Sequence, residues 1–201
     1  MGAYAPVSGV GRSEVEELVS SVHVPVLAEL ERRGAPFVGL LYACLMLTSD
    51  GPRVLVFFCG SGAPETQSIL PLLEGDLLEV LVAASRGELG AATLETGAAS
   101  AVTVVLSAQG YPEAGDRGTE IVGVEEAEAI GALVFHAGTA LHGERLVTNG
   151  GRILGVTGLG ETIVGARNAA YAAVDRIKFA GMHHRSDIAL AAAGGLTFGI
   201  G

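Results

Sequence analysis

Lysine is the scarcest charged residue in this chain of 201 residues, occurring once, at Lys178. Twelve lysines and arginines stand against 22 aspartates and glutamates, so the formal net charge is −10. Nucleic acids and anionic membrane surfaces attract proteins of the opposite sign. The composition therefore argues against both as partners. Any phosphate site must rely on arginines, backbone N–H groups, a metal ion or another chain.

Long apolar runs are also missing. No stretch reaches the roughly 18 consecutive apolar residues that suggest a membrane span. The N-terminus lacks the basic segment and the apolar segment of a signal peptide. The sequence therefore predicts a cytoplasmic protein.

Cysteine and paired histidines are scarce too. Cys44 and Cys59 are the only cysteines, and they fall on two predicted neighbouring strands without standing directly opposite each other. We expect free thiols. The five histidines show no spacing of four residues with an intervening glutamate, as in a helical zinc site, so no metal site is predicted from them.

Apolar residues make up 49% of the chain, which is ample for a buried core. Val15 to Leu30 carry apolar side chains at helical spacing, and Ser13 with Glu16 matches a capping box, so an amphipathic helix is predicted to begin there. Pro25 lies inside this helix and is expected to kink it.

The next segments predict a hairpin followed by short helices. Residues 37–48 and 54–59 are apolar at both alternating positions and flank a turn, "SDGP", so we expect two paired strands buried on both faces. Pro64 suits the first turn of a helix. Two short helices, interrupted around Gly75, are predicted after it.

From about residue 96 the chain changes to short β-segments. Asn149-Gly150 is predicted to be a hairpin turn between the last two strands. A closing helix is predicted over 161–178, with Ala166, Ala170 and Val174 on its buried face. The expected fold class is α/β (α+β), with a second, β-rich unit.

Two short motifs each allow two interpretations. Gly158 to Thr162, "GLGET", precedes the closing helix and suggests a phosphate-binding loop, but the third glycine of a dinucleotide fingerprint is replaced by Ile163. A plain strand-to-helix turn is favoured. Ser61 in "CGSGAPE" has only part of the pattern around a nucleophilic serine.

The sequence as a whole closely resembles the C-terminal portion of the phosphoribosylamine–glycine ligase family, also called glycinamide ribonucleotide synthetases. Six stretches in the same order as in that family support this resemblance. They are "MGAYAPV" (1–7), "FVGLLYACLMLTSDGPRVL" (37–55), "PETQSILPLLEGDLLE" (64–79), "VFHAGTAL" (134–141), "RLVTNGGRILGVTGLG" (145–160) and "AAVDRIKFAGMHHRSDI" (172–188).

The resemblance implies the second half of an ATP-grasp core over 1–95 and the family's small β-rich C-terminal domain over 96–190. The low-complexity composition of 191–201 predicts a flexible glycine-rich tail. Family members use ATP and magnesium to join glycine to phosphoribosylamine in purine synthesis. Their nucleotide-clamping groups precede the part matched here. The isolated chain is therefore expected to be catalytically incomplete and not to bind Mg-ATP alone, with an amino-terminal half of the synthetase or a second copy as its partner.

One stretch departs from the family pattern. Where the family has a glutamate and an asparagine that hold magnesium, this chain has Val56 and Phe58, which supply no oxygen ligand. Gly60 replaces a family arginine, and Ala63 replaces an aspartate. No metal site is therefore predicted in this stretch. An alternative to the ligase function is a non-catalytic relative that acts as a binding or assembly module.

Some residues of the motif are retained. Glu65 is the surviving acidic group and the candidate catalytic residue, while Gly62 and Thr66 are candidate substrate-binding residues of the same turn. Arg152 is a candidate anion contact from the C-terminal domain, and an ordinary exposed position beside a turn is an equally good interpretation of it.

Overall fold

The computed structural model describes residues 1–90 and 92–195. The chain divides into two compact units. Unit 1 consists of Met1–Ala5, Ala63–Leu72 and Ala98–Gly195, and unit 2 consists mainly of Pro6–Gly62 and Leu73–Gly97. Over the described residues the chain therefore passes from one unit to the other after residues 5, 62, 72 and 97.

The described strands are numbered in chain order. They are β1 Gly2–Ala5, β2 Leu41–Thr48, β3 Gly51–Cys59, β4 Leu73–Glu74, β5 Glu95–Thr96, β6 Ser100–Ser107, β7 Asp116–Glu120, β8 Leu133–His136, β9 Thr139–His142, β10 Arg145–Gly150 and β11 Arg152–Gly160. The α-helices are α1 Arg12–Leu18, α2 Val24–Arg32, α3 Glu65–Ile69, α4 Leu77–Arg86, α5 Val124–Ala129, α6 Ile163–Val174 and α7 Leu190–Ala193.

The core of unit 1 is an antiparallel sheet in the order β1-β6-β11-β8. Helix α6 packs against β6 and β11, and α3 packs against β1, β6 and β11. Every residue of β6 is buried. Its sequence, "SAVTVVLS", is nearly continuously apolar because a strand covered on both faces needs no alternation with polar residues.

Two glycines allow α6 to approach β11 closely. A Cβ at Gly158 would lie 2.2 Å from the backbone nitrogen of Ala170, and one at Gly160 would lie 2.5 Å from the backbone nitrogen of Ala166. Helix α6 starts after Thr162, whose hydroxyl accepts a hydrogen bond from the Gly165 N–H. The "GLGET" stretch is thus a strand-to-helix connection whose glycines serve packing.

The predicted hairpin turn at Asn149-Gly150 is wrong. Both residues belong to β10, which pairs with β7 and β9 in a separate three-stranded sheet, whereas β11 pairs with β6 and β8. The chain turns sharply at Gly151. A Cβ there would lie 2.7 Å from the Tyr111 ring, so the turn needs glycine because of tertiary contacts rather than local hairpin geometry.

Unit 2 begins with a helical segment that differs from the predicted helix. Helix α1 starts one residue before Ser13, and Glu14 rather than Glu16 caps it by accepting a hydrogen bond from the Gly11 N–H at 3.0 Å. Glu16 instead receives the Arg12 Nε–H. A π-helical turn over Val19–His23 separates α1 from α2, in which Pro25 is the second residue. The helix is therefore irregular just before Pro25, in the form of a widened turn, and the kink itself stays a prediction.

The predicted hairpin is present as β2 and β3, which pair antiparallel through Ser49 and Asp50. Its predicted burial on both faces is wrong. In β3 only Gly51 is buried, and Phe58 is 50% exposed. Within the described residues the hairpin pairs with no third strand, so its apolar side chains have few neighbours.

Helix α6 buries Ala166, Ala170 and Val174, as the helical spacing predicts, and Ile177 beyond it is also fully buried. The predicted tail begins within α7, and residues 196–201 lie outside the described residues. In the part of the chain that is described, no helix is both long and apolar enough to cross a membrane.

Candidate functional site

The retained "PETQ" motif forms the start of α3 in unit 1. Pro64 is the N-cap residue and Glu65 the first helical residue. The peptide bond between Ala63 and Pro64 is cis. Pro64 is buried, whereas Glu65 and Thr66 are half-buried, so both side chains of the candidate pair are partly accessible to solvent.

Arg152 reaches this turn from the first residue of β11. Its Nη1 donates a hydrogen bond to the Ala63 carbonyl at 3.1 Å. The side chain is exposed, and among the described residues it forms no ion pair with a carboxylate. A guanidinium has five N–H donors in a planar fork, so the remaining donors suit a carboxylate or phosphate held beside the turn.

Glycines bring three loops together around the backbone of Arg152. A Cβ at Gly138 would lie 2.7 Å from the Arg152 carbonyl oxygen, which accepts a hydrogen bond from the Gly138 N–H. A Cβ at Gly115 would lie 2.9 Å from the carbonyl carbon of Gly150. These close approaches hold the start of β11 in place, and the position of Arg152 depends on them.

A chain of buried hydroxyl groups fastens α3 to the sheet. Ser68 Oγ lies 2.7 Å from Thr103 Oγ1, which lies 2.7 Å from Thr157 Oγ1. Thr157 donates its proton to the Gln67 carbonyl at 3.1 Å. Since each hydroxyl has one proton, Thr103 must donate to Thr157 and Ser68 to Thr103. All three side chains are buried.

This chain of hydroxyl groups is not predicted above, although the sequence carries a signal for it. Thr103 and Thr157 are single polar residues within otherwise apolar strands, which is unusual for positions buried on both faces. Their pairing partner on α3, Ser68, follows directly after the retained motif. The side-chain oxygen of Gln67, Oε1, is also buried, with no hydrogen-bond partner in the described part of the chain.

The structure thus brings three of the four candidate site residues into one region of unit 1. Arg152 contacts the residue before Pro64, and Glu65 and Thr66 follow in the same turn. Gly62 belongs to unit 2. In the described part of the chain, no hydrogen bond or ion pair joins Arg152 to Glu65, so the shared element is the backbone of the turn.

The positions of the family's magnesium ligands do not fit a magnesium ion. Val56 and Phe58 lie on β3 in unit 2, and neither side chain has an oxygen atom. The described residues contain no group of three or more histidine, cysteine, aspartate or glutamate side chains able to hold a metal. Gly60 has a φ of +153°, so an arginine at that position would be strained.

The "HHRSD" stretch near the end of unit 1 is tied to α6. The Tyr171 hydroxyl donates to the Arg185 carbonyl and accepts from the Ile188 N–H, and the Arg167 guanidinium lies 4.6 Å from the Tyr171 ring centre. Burial, reinforced by the charge of His183, lowers the pKa of His184. The stretch therefore has a structural role in holding the chain against α6.

Arg185 and Asp187 form an exposed ion pair in this stretch, which lowers the pKa of Asp187 to about 2. In the Arg185→Gln variant we expect the pKa to rise toward the ordinary 3.8. A carboxyl group whose pKa is lowered by folding stabilises the folded state at every pH above its ordinary pKa of 3.8. That stabilisation is lost as the pH falls from 3.8 toward about 2. Carboxyl-carbon NMR titration measures the shift. An unchanged pKa in Arg185→Gln would contradict the pairing, and Arg117→Gln on β7 is the control.

Two family models match the chain. The "Phosphoribosylglycinamide synthetase, ATP-grasp (A) domain" matches residues 1–66, and the "Phosphoribosylglycinamide synthetase, C domain" matches residues 101–191. The two matches are consecutive and together span most of the chain. The resemblance stated from the six sequence stretches is confirmed.

Individual relatives agree with the two models. The chain is 41% identical over 189 residues to the phosphoribosylamine–glycine ligase of Caldanaerobacter subterraneus subsp. tengcongensis, covering 94% of this chain and 45% of that protein. It is 42% identical to the trifunctional purine biosynthetic protein adenosine-3 of Gallus gallus, covering 94% of this chain and 19% of that protein.

A solved structure shares the fold. The crystal structure of phosphoribosylamine–glycine ligase from Thermotoga maritima superposes with a TM-score of 0.81 at 35% identity, covering 94% of this chain and 46% of that one. The mixed helix and strand architecture is therefore that of the C-terminal part of this type of enzyme. The chain spans less than half the length of each of these three proteins.

Proposed function

The chain belongs to the phosphoribosylglycinamide synthetase family, and on that premise we propose that it serves as the C-terminal portion of a phosphoribosylamine–glycine ligase of purine biosynthesis. The complete reaction joins glycine to phosphoribosylamine at the expense of ATP. The observation that carries this proposal is the consecutive match of the two domain models along one chain.

The part of the reaction assigned to this chain is the binding of substrate oxygens in unit 1. Arg152 offers its unused N–H donors beside the turn that contains Glu65 and Thr66. A phosphate or carboxylate group of a substrate is the natural acceptor for a guanidinium. Glu65 is the acidic group available at the same turn, and Gly62 precedes it in the chain.

The groups that clamp the nucleotide are assigned to the part of the ligase outside this chain, and this chain itself supplies no magnesium ligand at the two family positions. Phosphoryl transfer depends on positioning and on cations that neutralise the phosphates. Val56 and Phe58 supply no magnesium ligand, and the single Lys178 is the only lysine in the sequence. The chain alone is therefore expected to show neither Mg-ATP binding nor turnover.

Complementation tests the proposal. The purified chain is mixed with an amino-terminal fragment of the Caldanaerobacter ligase that ends where the match to this chain begins, and ADP formation dependent on glycine and phosphoribosylamine is measured. We expect activity from the mixture and none from either component alone, and the activity should be lower than that of the intact ligase because Val56 and Phe58 supply no magnesium ligand.

The matched control is the same amino-terminal fragment mixed with the C-terminal portion of the Caldanaerobacter ligase itself. If that control pair is active and the mixture containing this chain is not, although circular dichroism shows the chain to be folded, the catalytic proposal is wrong. The control excludes a defect of the split itself.

Arg152→Gln should lower the activity of the complementing mixture about 10-fold, the factor for loss of one charge-assisted hydrogen bond of about 1.5 kcal/mol. Arg152→Lys should recover little of it, because an ammonium does not reproduce the planar fork. Thermal unfolding of both variants separates substrate binding from stability. Full activity in Arg152→Gln would contradict the role assigned to this arginine.

A second function, a non-catalytic binding or assembly module, is favoured by one specific observation. The two positions that hold magnesium ligands in the family carry apolar side chains that are exposed here, Val56 at 42% and Phe58 at 50%. Apolar side chains at exposed positions suit a protein contact rather than a metal-nucleotide complex. Failure of complementation together with a folded chain would favour this function.

A further inference from the structure

We propose that the His183 side chain is a second substrate contact beside Arg152, and that the two residues together bind the phosphate group of phosphoribosylamine. The proposal rests on the proposed function and deepens it, because it assigns one part of one substrate to unit 1. Strand register at one end of the sheet is the basis, since His183 and Arg152 lie on either side of Ser107.

His183, Ser107 and Arg152 form one row across the end of the sheet. The backbone N–H groups of His183 and Ser107 each donate to the other residue's carbonyl at 2.9 Å, and the Ser107 hydroxyl donates to the His183 carbonyl at 3.1 Å. On its other side Ser107 is paired with Arg152. Opposed residues of antiparallel strands point their side chains to the same face. With a spacing of about 5 Å per pair, the Cα atoms of His183 and Arg152 are about 10 Å apart.

The face that carries these side chains is the one that α3 covers. Thr103 lies on β6 four residues before the middle residue of the row, and its side chain, which contacts Ser68 of α3, has the same orientation. The hydrogen bond from Arg152 to the Ala63 carbonyl, directly before Pro64, places the arginine on this face independently. The row therefore presents its side chains on the side of the sheet where the retained turn begins.

The His183 side chain is available to a ligand. It is exposed, and in the part of the chain that is described its ring takes part in no hydrogen bond or ion pair. By contrast, the ring of the half-buried His184 lies 6.3 Å from the Tyr171 ring, and Arg185 is paired with Asp187. An imidazole has at least one N–H donor in either charge state. His183 can therefore donate to a bound anion while its neighbours serve the fold.

The chemistry of the row selects a phosphate monoester. The glycine carboxylate has two oxygens, and one guanidinium can satisfy both of them. A phosphate monoester has three acceptor oxygens and a charge of about −1.5 to −2 at pH 7. Arg152 alone, at a turn that also contains the Glu65 carboxylate, compensates that charge poorly. A phosphate placed over Ser107 accepts from Arg152 on one side and from His183 on the other.

Titration with ribose 5-phosphate tests the site on the purified chain, with NMR of the imidazole and guanidinium groups as the readout. We expect saturable shifts of the His183 and Arg152 side-chain signals, and none with ribose, which lacks the phosphate. His183→Ala should raise the dissociation constant about 10-fold, the factor for one charge-assisted hydrogen bond. His183→Lys should recover most of the affinity, because an ammonium also donates to phosphate oxygens.

His142→Ala on β9 is the matched control, because His142 is an exposed histidine of the same unit outside the row. Its dissociation constant should equal that of the unmodified chain. Thermal unfolding should be the same for His183→Ala and His142→Ala, since both side chains are exposed. Absence of saturable ribose 5-phosphate binding, or an unchanged dissociation constant in His183→Ala, overturns the proposal.

The complementing mixture separates this site from the ligase function. There His183→Ala should raise the KM for phosphoribosylamine about 10-fold and leave the KM for glycine unchanged. Equal changes in both Michaelis constants, or a change in neither, contradict the phosphate site and leave the ligase function standing. Ribose 5-phosphate binding that depends on His183, in a chain that fails to complement, supports the phosphate site and rejects the ligase function.

Discussion

Replacing Gly158 with alanine is expected to reduce the free energy of unfolding by about 3 kcal/mol, the upper end of the usual cost of overpacking a core. The added Cβ would lie 2.2 Å from the Ala170 nitrogen and 2.5 Å from the Ala166 carbonyl oxygen. Both are backbone atoms of α6, so no side-chain rotation relieves the overlap. The helix itself must move away from β11 and open the core around Ala166 and Ala170.

The matched control is Gly155→Ala on the same strand. A Cβ there meets its neighbours at 3.6–3.8 Å, which is ordinary contact distance, so its unfolding free energy should change by less than about 1 kcal/mol. Urea unfolding followed by circular dichroism measures both variants. Equal effects would show that α6 does not approach β11 at Gly158 as closely as described.

The second large effect is expected for Thr103→Val, which should reduce the free energy of unfolding by about 2 kcal/mol. The substitution keeps the shape of the side chain and removes the central hydroxyl of the buried chain. The Ser68 proton then has no acceptor, and Thr157 loses the hydrogen bond donated to it. An unsatisfied buried hydroxyl costs more than the bond contributes when it is made.

A double variant distinguishes this explanation from a packing defect. Ser68→Ala removes the donor that Thr103→Val leaves unpaired, so the double variant should be less destabilised than the sum of the two single variants by about 1 kcal/mol. Urea unfolding of the four proteins gives this coupling energy. Strict additivity would mean that the two hydroxyl groups act independently, and the chain of hydroxyl groups would not be a unit.

Both predictions concern the attachment of helices to the two faces of one sheet. Gly158 contacts α6, while Thr103 contacts α3, which carries the retained motif. Loosening α3 should also displace the turn that accepts the hydrogen bond from Arg152. The hydroxyl chain therefore links the stability of unit 1 to the geometry of its candidate site.

Local patterns in the sequence determined much of unit 1 and some of unit 2. The spacing of Ala166, Ala170 and Val174 predicts α6 and its buried face, and the apolar runs over 37–48 and 54–59 predict the paired strands β2 and β3. These predictions succeed because the periodicity of a helix or strand is written in neighbouring residues. The resemblance located the retained turn and the replaced magnesium ligands for the same reason, since both depend on the identity of consecutive residues.

Only the tertiary structure decided which strands pair and which surfaces are covered. Asn149 and Gly150 have the sequence of a hairpin turn, yet β10 and β11 join different sheets, because β10 pairs with β7 and β9 whereas β11 pairs with β6 and β8. The apolar strands β2 and β3 predict burial, yet the hairpin is exposed because burial depends on the neighbours available and not on the strand alone. The contact of Arg152 with Ala63, 89 residues apart, is likewise a product of the assembled sheet.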